Sequence, residues 1–194
     1  MSKNLAVFAS GSGTNAENII RYFQAHSCAQ VVLVVINRKA AFAAERARRM
    51  GIPVSYQPKA AWETGEEVVG LMREYGVNFI VLAGFLAHIP DALIAAYPQR
   101  IVNIHPSLLP RHGGLGMYGS RVHESVLAAG DKESGITIHF VNEEYDAGAI
   151  ILQAHCPVLP DDTPETLAHR VHKLEYAYFP KAIEETVKAM DEEQ

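Results

Sequence analysis

The chain has 194 residues, 48% of them hydrophobic and 20% charged, with a formal net charge of −5. These proportions suit one soluble domain that hides roughly 70% of its unfolded surface, and they exclude a disordered chain. The negative balance argues against a general nucleic-acid surface, which needs a basic excess. No apolar run is long enough to span a membrane.

Met1-Ser-Lys-Asn4 passes at once into the strand-like Leu5–Ala9, which leaves no room for a cleavable leader, so a cytoplasmic location is expected. Further strand-length apolar runs follow at Val31–Ile36, Asn78–Leu82 and Ile101–Ile104, with amphipathic stretches between them. This alternation predicts βαβ units. Runs apolar at successive positions fit strands covered by helices on both faces of a parallel sheet. The expected fold class is therefore α/β, a doubly wound, Rossmann-like and mostly parallel sheet. After Pro106 come a Gly-rich loop, a helix near His123–Ala129, and strands Gly135–Val141 and Ala149–Cys156 joined by a hairpin around Asn142–Gly148. That hairpin predicts an antiparallel C-terminal extension. The last helix is expected to start at Thr163, where Thr163-Pro-Glu165 supplies a hydroxyl cap, a proline in the first helical position and an acid facing the dipole. Leu167, Val171, Leu174 and Tyr178 recur at helical spacing and predict its buried face. Pro180 is expected to kink or restart it, and Asp191–Gln194 to fray. Cys28 and Cys156 lack paired spacing and read as small buried hydrophobes.

Two motifs carry chemistry. The first strand ends in Ser10-Gly-Ser-Gly-Thr-Asn15 and opens a helical pattern. Glycines there let backbone N–H groups turn outward at a helix N-terminus, where a phosphate is the natural guest. Gly11-x-Gly13-x-x-Ala16 also meets the loose dinucleotide fingerprint, but that reading wants an acid after the second strand, and Asn37-Arg-Lys39 stands there instead. The second motif is Asn103-Ile-His105 at a strand tip. Side chains two apart in a strand share a face, and a polar pair in an apolar strand is costly unless it has partners or a purpose.

Asn103-Ile-His-Pro-Ser-Leu-Leu-Pro110 resembles the signature of the folate-dependent formyltransferases, and Ser10–Asn15 resembles the phosphate loop of the branch that acts on glycinamide ribonucleotide. Gly135–Val141 with Tyr145-Asp-Ala-Gly-Ala-Ile-Ile-Leu-Gln153 is similar to the family segment that supplies a catalytic carboxylate, and Val81–Phe85 to the strand end leading to the folate pocket. The similarity runs from about Leu5 to Pro180. It implies one formyltransferase domain over 1–194, with a phosphate-binding half over about 1–100 and a catalytic and folate-binding half over about 101–190. It implies Asn103, His105 and Asp146 as the catalytic trio, with Asp146 raising the pKa of His105. Gly13, Thr14 and Asn15 would hold the substrate phosphate, and Glu175 with His172 the ribose. Leu86, Ala87, His88, Ile89, Asn142, Glu143, Glu144 and Tyr145 would hold the pterin of 10-formyltetrahydrofolate, the cosubstrate. The implied partners are these small molecules, glycinamide ribonucleotide and formyl-folate; no metal, nucleic acid or membrane is implied, and the chain would act as a monomer or homodimer.

The chain departs from the pattern in places. Leu86-Ala-His-Ile89 lacks an Arg the family often carries, Gly65 stands where an Arg can meet the folate tail, and Arg111–Gly119 replaces a more usual loop. His112 and His123 read as surface histidines or as replacement substrate contacts, and His169-x-x-His172 has a spacing zinc could use but no third ligand. A formyltransferase acting on transfer RNA would bring an added domain and a basic surface, a formyl-folate hydrolase an N-terminal regulatory domain, and a plain nucleotide-binding module only Gly11–Asn15.

Overall fold

The structure, a computed structural model, describes residues 2–192. In chain order the elements are β1 (Lys3–Ala9), α1 (Thr14–Ala25), β2 (Ala29–Ile36), α2 (Ala43–Arg49), β3 (Val54–Tyr56), α3 (Ala61–Thr64), α4 (Glu66–Glu74), β4 (Phe79–Leu82), α5 (Asp91–Ala96), β5 (Ile101–His105), α6 (Ser120–Ala128), β6 (Glu133–Phe140), β7 (Ile150–Pro157) and α7 (Pro164–Glu192). The strands form one seven-stranded sheet in the order β3-β2-β1-β4-β5-β6-β7. β1 pairs in parallel with β2 and β4, and β2 with β3, whereas β6 and β7 are antiparallel. This is the expected α/β class with its antiparallel C-terminal strands. Among the described residues no helix is long and apolar enough to cross a membrane.

Contacts divide the chain into two compact units. One holds the residues up to Val102 and those from Ile183 on; the other is Asn103–Ala182. In the first, every residue of β4 and the last five of β1 are buried, as strands with both faces covered must be. Phe8, Trp62 and Phe85 meet with ring centroids 4.6–5.6 Å apart in edge-on and tilted pairs, and the Trp62 indole donates to the Gln57 carbonyl at 3.1 Å. The large rings are thus packed and their polar atom satisfied, the arrangement in which an aromatic contributes most. β3 was not foreseen. Its three residues are only half-buried or exposed, too short and too mixed to make an apolar run.

In the second unit the hairpin runs from Phe140 to Ile150, and the β6–β7 register shifts between Ile138 and His139. Thr137, fully buried, accepts from the Leu109 N–H and the Gln153 amide and donates to the Ser107 carbonyl, at 2.7–3.0 Å. Gln153 also donates to the Leu109 carbonyl. These bonds tie the loop after β5 to the hairpin.

α7 differs from expectation on its buried side. Thr163 does cap it, accepting the Thr166 N–H at 3.3 Å. Tyr178, however, is exposed and Leu174 half-buried. The buried row is Leu167, Val171, Glu175, Phe179, Ile183 and Val187, an i, i+4 row that runs through a carboxylate. No restart occurs at Pro180, which lies inside the continuous helix; only one backbone donor is lost there, and buried Phe179, Ala182 and Ile183 hold both sides. Asp191 and Glu192 are still helical, and 193–194, the rest of the expected frayed end, lie outside the described residues. Cys156 is buried as expected, but Cys28 is half-buried, with its thiol on Glu184 at 3.6 Å.

Candidate active site

β1 delivers Ser10–Asn15 to the start of α1. Gly13 caps that helix with φ 74°, and a Cβ there would lie 2.4 Å from the Ala43 Cα. Both facts demand glycine. The loop is also braced from α2: the Ala43 N–H donates to the Gly11 carbonyl at 3.1 Å, and Arg46 donates to the Ser12 carbonyl at 2.9 Å while pairing with Glu17. The first-turn N–H groups of α1, those of Thr14 and Asn15 among them, thus come from a fixed loop at the positive end of the dipole. In the same unit the Ser10 hydroxyl accepts the Leu86 N–H at 2.8 Å. Leu86 and His88 are exposed, Ala87 is half-buried and Ile89 is buried. Gly65, where the resemblance allowed an arginine, has φ 82° and would place a Cβ 2.7 Å from Pro90, so a side chain there would have to displace that ring.

The second unit brings Asn103, His105 and Asp146 together. His105, at the end of β5 and 4% exposed, has Nε2 2.8 Å from the His112 carbonyl and Nδ1 3.4 Å from Asp146 Oδ2. A carbonyl only accepts, so Nε2 carries the proton in the neutral ring. Asp146, at φ 54°, also accepts the Gly114 N–H at 2.9 Å on Oδ2. Its Oδ1 lies 3.6 Å from His139 Nε2. Asn103 donates from Nδ2 to that same His139 nitrogen at 3.2 Å, and His139 Nδ1 donates to the Phe140 carbonyl at 2.8 Å.

His139 therefore joins the amide to the carboxylate, and sequence reasoning missed it. The signal was present as a lone imidazole in an apolar strand; its aim depends on the register shift beside it, since such bulges redirect side chains.

Burial holds the His105 imidazole below its ordinary pKa, and the upward pull of Asp146 and the His112 carbonyl does not overcome it. The expected rise is thus corrected: desolvation of a ring this buried outweighs one nearby charge. Burial pushes the Asp146 carboxyl up, but His139, His105 and the Gly114 N–H pull it down by more, so it stays below the usual range and ionised. An ionised carboxylate thus faces the lone pair of a neutral imidazole.

Glu175 is 4% exposed and bonds His172 Nδ1 at 2.8 Å, which raises the His172 pKa chiefly through that bond. His123 is not a surface residue: it is 3% exposed, its Nδ1 has no partner, and burial lowers its pKa, with His172, Glu175 and His105 nearby. His112 is also largely buried. In the hairpin, Asn142 Oδ1 accepts the Glu144 N–H at 3.2 Å, and Glu143, Glu144 and Tyr145 are exposed. Among the described residues no group of three His, Cys, Asp or Glu side chains is placed to hold a metal ion.

An amide donor, a neutral imidazole and an ionised carboxylate gathered at β5 and the β6–β7 hairpin are groups that can stabilise a developing charge and move a proton in acyl transfer. The formyl transferase family model matches residues 3–183, and the chain belongs to that family. It is 48% identical to the chloroplastic phosphoribosylglycinamide formyltransferase of Arabidopsis thaliana, over 96% of this chain and 67% of that one. It is 39% identical to the phosphoribosylglycinamide formyltransferase of Bacillus subtilis (strain 168), over 94% of each. The crystal structure of glycinamide ribonucleotide transformylase 1 from Symbiobacterium toebii superposes with a TM-score of 0.89 at 35% identity, over 97% of this chain and 89% of that one.

Proposed function

We propose that this chain transfers the formyl group of 10-formyltetrahydrofolate to the amine of glycinamide ribonucleotide, a step of purine biosynthesis, by direct attack of the amine on the formyl carbon. The family and the named relatives support this reading. The observation that carries it is the contact between Asp146 Oδ2 and His105 Nδ1 at 3.4 Å, beside the Asn103 amide. With Nε2 committed as a donor, both facing atoms are acceptors until one proton arrives. That is the state a base requires.

An attacking amine makes a tetrahedral intermediate whose oxygen turns negative while its nitrogen turns positive. Asn103 gives one amide proton to His139 and keeps a second for the formyl oxygen. His105 Nδ1 takes the proton from the amine, and Asp146 stabilises the imidazolium so formed. The bond from the formyl carbon to the new amine forms, the bond to the folate nitrogen breaks, and that nitrogen receives the proton. The substrate phosphate goes to Gly13, Thr14 and Asn15, and the ribose hydroxyls to Glu175 and His172. The pterin goes to Leu86, Ala87, His88 and Ile89 and to Asn142, Glu143, Glu144 and Tyr145, largely through backbone groups. Formyl-folate is the cosubstrate and no metal takes part. The same proposal treats 1–194 as one catalytic domain, a cytoplasmic monomer or homodimer without nucleic-acid or membrane partners.

Incubating the chain with formyl-folate and glycinamide ribonucleotide tests the reading, which expects formyl-folate to disappear only when the amine is present. Amine-independent release of formate would replace it with a hydrolase, and phosphate binding without turnover would replace it with a binding module.

A further inference from the structure

His112 has φ 55°, a left-handed backbone that costs any residue with a Cβ. It stands beside Gly113 and Gly114, either of which would take that conformation freely, so its side chain must contribute something that offsets the strain. The ring is held from both edges. Nδ1 lies 2.8 Å from the Ser125 hydroxyl of α6, and Nε2 lies 2.8 Å from Asp131 Oδ2. Asp131 is itself fixed by Arg111 at 2.5 Å, and the His112 and Arg111 bonds, outweighing burial, hold its carboxyl below the usual range. The backbone of the same residue then presents its carbonyl to His105 Nε2 at 2.8 Å, while the Ser107 hydroxyl donates to the neighbouring Arg111 carbonyl at 2.7 Å and lies 3.5 Å from that of His112.

We infer that His112 is a positioning residue: its side chain, clamped between Ser125 and Asp131, fixes the backbone carbonyl that holds His105 with its proton on Nε2 and its lone pair toward Asp146. An imidazole can turn over about its bond to Cβ, and either nitrogen can carry the proton. A carbonyl accepts only from an N–H, so a rigid carbonyl selects one arrangement out of these, the way an outer-shell partner orients a metal-binding histidine. A mobile carbonyl would not. The Ser125–His112–Asp131 order is also that of a hydrolytic triad, but Ser125 lies within α6, where the backbone N–H groups of the helix interior are spent on helix bonds; the trio acts as a strut.

This inference rests on the role given to His105 above, and its test separates the two. His112→Gly keeps the carbonyl and suits φ 55° but removes the clamp. The expected result is a fall in kcat of about 10- to 100-fold, with KM for both substrates and the thermal midpoint nearly unchanged. Nitrogen-15 NMR of the His105 ring should show the proton on Nε2 in the unmodified chain and a mixture of tautomers in the variant. Ser125→Ala, which removes one of two anchors, should give the same signature at smaller amplitude and serves if His112→Gly does not fold. Unmodified kcat in His112→Gly, or an undisturbed Nε2 proton in either variant, overturns the inference. The NMR arm needs no turnover: a chain that fails to formylate glycinamide ribonucleotide yet shows the tautomer change refutes the functional reading and leaves the strut standing.

Discussion

Each side chain assigned to the proposed chemistry owes its state to what surrounds it. Asp146 is ionised because the pull of the His139 and His105 rings and the Gly114 N–H outweighs its burial, and His105 is neutral because burial outweighs Asp146. The base therefore exists across neutral pH and is lost in acid, as His105 is protonated below its lowered pKa. In the proposed mechanism Asn103→Ala removes the amide that meets the oxyanion; such a donor is worth roughly 3 to 4 kcal/mol of barrier, so kcat should fall about 10²- to 10³-fold. By the same proposal Asp146→Asn removes the charge that stabilises the imidazolium and should cost at least as much. Asn103 is only half-buried in β5 and Asp146 half-buried in the β6–β7 loop, so circular dichroism should stay native. Unmodified steady-state rates in either variant would remove the trio from the mechanism. The pairing of Asn103 with His105 on one face was legible from a strand tip, and Asp146 only through the resemblance of Tyr145–Gln153 to a family segment; that the three come together is the finding of the structure. The direction of the His105 pKa was not legible, because the depth of burial is written in no local pattern. His139 and the His112 clamp were illegible for a related reason: one depends on a register shift and the other on a backbone angle.

At the level of elements, β1, β2, β4 and β5 were legible as apolar runs because they are largely buried, whereas the half-buried or exposed β3 was not. α7 was misread because its buried row passes through Glu175, so a search for apolar spacing settled on the neighbouring Leu174 and Tyr178. The carboxylate in that row is held by its bond to His172 at 2.8 Å. Glu175→Leu removes the partner of His172, and deleting one member of a buried pair is destabilising, so the thermal midpoint should fall while KM for glycinamide ribonucleotide rises and KM for the folate is spared. A lower midpoint with both constants untouched would make Glu175 purely structural. The loop between β1 and α1 calls for a different substitution. Gly13→Val must move Ala43 and adopt a disfavoured φ, so calorimetric titration should show binding of the phosphorylated amine weakened far more than that of formyl-folate. Equal losses would contradict the assignment of the loop to phosphate.

Across the whole molecule, acid is the condition to which one ionic cluster in the first unit is most exposed. Glu184 bonds Lys188 at 2.8 Å and accepts the Tyr22 hydroxyl. The Lys188 and Tyr22 bonds hold its pKa at about 2, whereas burial and Glu184 drive the Tyr22 phenol to about 12. The folded pKa of Glu184 lies below its unfolded value near 4.5. Its stabilisation is therefore fully present above that value and lost as pH falls toward about 2. Glu184→Gln should flatten the dependence of urea midpoint on pH within that window and leave it unchanged near neutrality. An identical slope in both proteins would show that other carboxylates govern the acid transition.

The two cysteines complete the picture. Burial, with Glu184 beside one of them, pushes both thiols above their ordinary pKa, and only thiolates react quickly with alkylating reagents. At neutral pH the native chain should consume maleimide slowly, and should need no reductant in storage. A cysteine placed at the exposed Arg48 would then take up a fluorophore ahead of either native sulfur, giving a singly labelled enzyme without first deleting any residue.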